Sequence, residues 1–144
     1  MKKYFNISLT IIILTGVLAV SAPAQTSDAQ KMIASIPFAF SAGKTTLPAG
    51  KYTITVLNPA SDRKTLQIRS LNGRASAIVL TMTSSGHVSD HAKLVFERYG
   101  DRYVFAQAQM AGDETALAAV RTKERGDKNI AKAGKKSIVV IVAE

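Results

Sequence analysis

The chain contains no cysteine. No disulfide can staple it, so packing alone must hold its folded part together. A lipid-modified cysteine, the usual bacterial tether for an exported protein, has no attachment point either. Histidine is scarce: with two in the whole chain, a three-histidine metal site is excluded. Acidic residues are few as well, ten against nineteen lysines and arginines, for a net charge of +9. Long apolar runs are missing. The longest is "IIILTGVLAV" at 11–20, while Asn6, Ser8 and Thr10 break the stretch before it. A membrane helix needs roughly 20 consecutive apolar residues. No serine sits in a G-x-S-x-G elbow. "AGKTT" at 42–46 has Phe38 where a phosphate loop requires its first glycine. No cofactor is implied.

What is present begins with an export signal. Lys2 and Lys3 precede the apolar residues of 4–20, and Ala22-Pro23-Ala24 follows. A positive start, an apolar middle and an A-x-A site together read as a signal peptide over residues 1–24. Cleavage after Ala24 would leave Gln25 at the mature N-terminus, with 120 residues and a net charge of +7. That length predicts one domain with enough chain to bury a core. The expected location is the periplasm or the medium, with no membrane span in the mature chain.

Residues 25–34 have no sustained period and read as a flexible lead-in. From residue 35 apolar and polar residues alternate. Ile36, Phe38 and Phe40 share one face, and so do Tyr52, Ile54 and Val56 after the "LPAG" turn at 47–50. Leu66 and Ile68 follow, then Asn72-Gly73, which predicts a hairpin with a type I′ turn. The return strand is "RASAIVLTMT", and "KLVFERYGDRYVFAQAQM" reads as a second hairpin turning at Gly100-Asp101. Residues 114–136, rich in Ala, Lys, Arg and Glu, predict a helix interrupted by Gly126 and Gly134. "KSIVVIVAE" predicts a last strand over 137–143, buried on both faces. The expectation is a mainly β domain over 35–144. It would be an antiparallel sandwich or small barrel of about six to eight strands with one helix in the C-terminal region.

"IPFAF" at 36–40, "LPAGKYTI" at 47–54, "GRASAIVL" at 73–80 and "KLVFERYGDRY" at 93–103 occur in this order and spacing. In these four stretches the chain resembles a family of small exported proteins found mainly in acidobacterial genomes. The resemblance covers about residues 33–125. It implies export and a compact β-domain, and it brings no catalytic residues.

Three groups of residues are candidates for chemistry. "RYGDRY" sets Arg98, Tyr99, Arg102 and Tyr103 around a turn, where arginine forks and tyrosine rings can take sugars or anionic groups. The plainer reading is that Asp101 makes the turn and the tyrosines pack on the sheet. His87, Asp90 and His91 are weak candidates for a metal, because a loop does not hold their geometry and the ligand count is short. Arg121, Lys128, Lys132 and Lys135 belong to a stretch, 121–136, with seven basic residues against two acidic ones. Such a stretch attracts polyanions, though a charged run is commonly only a solvated face. Outside the cytoplasm the expected partner is an envelope polyanion or polysaccharide, not nucleic acid. The expected function is a non-catalytic binding or structural module. The alternative is a secreted hydrolase-like enzyme with a site assembled from dispersed residues.

Overall fold

The computed structural model describes residues 30–121 and 136–144. Those residues form ten strands and no helix: β1 Lys31–Ile36, β2 Phe40–Ala42, β3 Thr45–Leu47, β4 Gly50–Val56, β5 Thr65–Ser70, β6 Ser76–Ser85, β7 Ala92–Tyr99, β8 Arg102–Gln109, β9 Thr115–Ala119 and β10 Lys136–Ala143. They join in one mixed sheet in the order β1-β4-β5-β6-β9-β8-β2-β3, with β7 on the other side of β8 and β10 beside β7. All pairings are antiparallel except β2 with β8.

Two long strands change partners along their length. The first half of β6, Ser76–Leu80, pairs with β5, and its second half, Thr81–Ser85, pairs with β9. At the changeover Thr81 is buried, and both its N–H (3.0 Å) and its hydroxyl (2.7 Å) donate to the Lys64 carbonyl. Strand β8 divides likewise, its start against β2 and its end against β9. A reciprocal pair of backbone hydrogen bonds, 2.9 Å each, links Ile33 of β1 to Glu144 just beyond β10.

Alternation along the strands points one set of side chains inward. Met32, Ala34 and Ile36 of β1, Tyr52, Ile54 and Val56 of β4, Leu66 and Ile68 of β5 and Leu94 and Phe96 of β7 are all buried. An aromatic column runs through them: Phe40 meets Tyr52 at 5.4 Å and Phe96 at 5.2 Å, and Phe96 meets Phe105 at 5.9 Å. Each pair is edge-on, the arrangement the ring quadrupoles favour. The Tyr52 hydroxyl donates to the Pro48 carbonyl at 2.6 Å, so its one polar atom is satisfied within the fold.

Several sequence expectations are corrected here. Residues 31–34 belong to β1 and not to a lead-in, because β4 pairs with β1 over its whole length, from Lys31 to Ile36. Residues 115–119 of the expected helix are strand β9, held between β6 and β8. Pairing on both sides overrides the helix preference of "TALAA". Glu114, Val120 and Arg121 lie in no helix either, Lys136 begins β10, and 122–135 lie outside the described residues. Phe38 is half-buried, not fully inside, because Pro37 ends β1 before the alternation reaches it. The Asn72-Gly73 hairpin exists, but its turn is not type I′: Gly73 has φ +72 while among the described residues no residue other than glycine, Asn72 included, has positive φ. Instead the Gly73 N–H donates to the Ser70 carbonyl at 2.9 Å, and Asn72 acts through its side chain. Gly100-Asp101 is a two-residue turn with positive φ at Gly100, as a type II′ turn requires. Finally, β10 is buried on one side only. Val139 and Ile141 pack on the core while Ile138, Val140 and Val142 are exposed. Nothing among the described residues covers its outer face.

Candidate functional site

The outward residues of β7 are Lys93, Val95, Glu97 and Tyr99, and Glu97 is the one acid among them. Its carboxylate gathers three partners. Arg121, just after β9, ion-pairs with Oε2, and the Tyr99 hydroxyl donates to the same oxygen. Lys136, the first residue of β10, binds Oε1 at 2.8 Å. Arg121 Nη1 also donates to the Tyr99 hydroxyl at 3.4 Å. Burial opposes the ionised carboxylate, since the side chain is only 12% exposed. The hydrogen bonds from Arg121, Lys136 and Tyr99, with the Arg121 charge, outweigh that and hold its pKa at about 2. The same hydrogen bond to Glu97, against opposing burial, pushes the Arg121 guanidinium up. One carboxylate therefore grips both ends of the connection 122–135.

The hairpin residues divide between two roles. Arg98 donates through Nε to the Gly100 carbonyl at 2.7 Å and sets its guanidinium 5.6 Å from the Tyr103 ring centre. Tyr103 stacks on Phe38 at 3.8 Å, and Phe38 meets Phe96 edge-on at 5.3 Å. Arg98 and Tyr103 thus close one end of the aromatic column. Tyr99 belongs to the Glu97 cluster, and Arg102 is exposed at the turn. The four residues do not converge on one cleft.

His87, Asp90 and His91 are exposed in the loop between β6 and β7. Among the described residues no three His, Cys, Asp or Glu side chains are grouped to hold a metal ion. The loop is pinned by its backbone. The buried Gln109 donates through Nε2 to the carbonyls of His87 (2.7 Å) and Asp113 (2.8 Å). Asp113 Oδ1 in turn accepts from the Thr115 N–H (2.9 Å) and hydroxyl (2.7 Å), which lowers its pKa and leads the chain into β9. Of the polyanion candidates, Arg121 is paired with Glu97, while Lys128, Lys132 and Lys135 lie outside the described residues.

A concave surface appears elsewhere. The turn from β3 into β4 and the turn from β5 into β6 enclose a depression of ≈ 330 Å³ lined by residues that include Pro48, Ala49, Lys51, Leu71, Asn72 and Arg74. Sequence reasoning saw only turn-forming residues in these two stretches, and it missed Glu97 altogether. An isolated acid in "KLVFERY" carries no signal that Arg121 and Lys136 will meet it.

The fold and these clusters define a mainly β protein with a packed aromatic core and a basic surface. No helix among the described residues is long and apolar enough to cross a membrane. No protein-family model, no curated protein and no solved structure matches the chain.

Proposed function

We propose that this protein is exported by its N-terminal segment, residues 1–24, as a member of the group of small exported proteins it resembles. In the cell envelope or its surroundings it acts as a non-catalytic binding module for an anionic polysaccharide or another envelope polyanion. The observation that carries the reading is the excess of positive charge, seven basic residues against two acidic ones over 121–136. Arg121 is neutralised by Glu97, so Lys128, Lys132 and Lys135 are the residues assigned to contact the partner. The grip of Glu97 on Arg121 and Lys136 supports this, because it ties both ends of that connection to β7. The reading includes a closed, barrel-like course of the sheet, supported by the hydrogen bonds between Ile33 and Glu144.

A basic residue near an anionic surface contributes about 1 kcal/mol, falling off within a screening length. The triple variant Lys128→Gln, Lys132→Gln, Lys135→Gln is therefore expected to lose about 3 kcal/mol of binding, roughly a hundredfold. Retention on lipopolysaccharide or heparin beads across a salt series measures it. The wild type should be held at low salt and released as salt rises, and the variant should pass through. Equal retention of the two proteins, or no retention of the wild type, refutes the assignment.

A further inference from the structure

The depression between the β3–β4 and β5–β6 turns has a charge and hydrogen-bond pattern of its own. Lys51 and Arg74 line it, and Arg69 reaches the same turn, its Nη2 standing 3.8 Å from where a Cβ on Gly73 would lie. None of the three enters an ion pair among the described residues, where the salt bridges formed are those of Glu97. No acidic residue lines the depression. Two cations, Lys51 and Arg74, thus border the depression with no carboxylate lining it, and an incoming anion is attracted by both.

Asn72 supplies direction. Its Oδ1 accepts from the Ser70 hydroxyl at 2.7 Å and from the Arg74 N–H at 3.0 Å. With the carbonyl end held by two donors, the end of the amide left for a ligand is the N–H₂ donor. Donors of three kinds, an ammonium, a guanidinium and an amide, therefore border one hollow, while Pro48, Ala49 and Leu71 give it an apolar side. A bare ion would use only the donors. A ligand using the whole surface has an oxyanion on a compact body with a C–H face.

The geometry points to a second binding site here, for a single sugar acid, with Lys51 and Arg74 taking the carboxylate, the Asn72 amide donating beside them, and the ring resting on Pro48, Ala49 and Leu71. The site uses none of residues 121–136, so it stands or falls separately from the polyanion contact proposed above. Its openness to solvent and single-residue scale predict weak binding, on the order of millimolar.

The test is an NMR titration of the nitrogen-labelled full chain at low salt with sodium glucuronate, with glucose and with inorganic phosphate. Glucuronate should shift the amide signals of Ala49, Lys51 and Asn72 saturably, and glucose should leave them in place. Lys51→Gln and Arg74→Gln should each weaken glucuronate binding about tenfold, the scale of one charge-assisted hydrogen bond. Lys51→Arg should retain it. Both positions carry exposed side chains, so the variants keep the wild-type melting temperature and the loss is one of binding. The triple lysine variant of the 122–135 segment should bind glucuronate as the wild type does. Shifts confined to other residues, equal binding by the glutamine variants, or glucose binding as tightly as glucuronate overturns the site. Inorganic phosphate binding as tightly as glucuronate overturns the assignment to a sugar acid.

Discussion

Glu97→Gln tests the cluster on the outer face of β7. In the unfolded chain this carboxyl titrates near 4.5, and in the folded protein it is held at about 2. The folded state thus favours the ionised form. The stabilisation is fully present above about pH 4.5, and it is lost as pH falls toward about 2. Taken at face value that separation is about 3 kcal/mol. Arg121 and Lys136, however, are 46% and 50% exposed, so water and salt screen the attraction, and about 1–2 kcal/mol is the expected share. Glutamine preserves the shape and removes the charge. Thermal melts followed by circular dichroism should therefore place the variant roughly 3–10 °C below wild type at neutral pH. The gap should narrow continuously through acid and close below about pH 2, once the wild-type carboxyl is itself protonated. Added salt should shrink it at neutral pH. A variant that melts with wild type at pH 7 refutes the cluster. So does a gap that stays constant in acid, which would trace the loss to shape and not to charge.

Phe40→Ala should cost about 3–5 kcal/mol, because Phe40 is 1% exposed and touches both Tyr52 and Phe96. Phe38→Ala should cost less than half of that, since Phe38 is only half-buried; denaturant melts giving equal losses would contradict the assigned burial. Export predicts that protein recovered from periplasm or medium begins at or near Gln25 by N-terminal sequencing, and an intact chain in the inner membrane would contradict it.

What the sequence by itself determined was the strand pattern. A period of two forces Tyr52, Ile54, Leu66, Ile68, Leu94 and Phe96 to one side of their strands, whichever strands become neighbours. All six are buried. The turns were legible for the same local reason, as at Gly100, where positive φ suits glycine. Pairing between distant segments was not legible. Alanine-rich "TALAA" became β9 only because β6 and β8 arrive on either side of it. The continuous apolar run Ile138–Val142 read as buried on both faces, and only the absence of a neighbour over its outer face among the described residues made it one-sided. The clusters were the least legible of all. Glu97, Arg121 and Lys136 meet because β10 lies beside β7 and β9 ends near them. Lys51, Asn72 and Arg74 meet because the Leu71 N–H bonds to the Lys51 carbonyl at 3.0 Å and draws two turns together. Local periodicity acts within a few residues of chain, whereas a cluster of charges from separate strands exists only after the sheet has chosen its order.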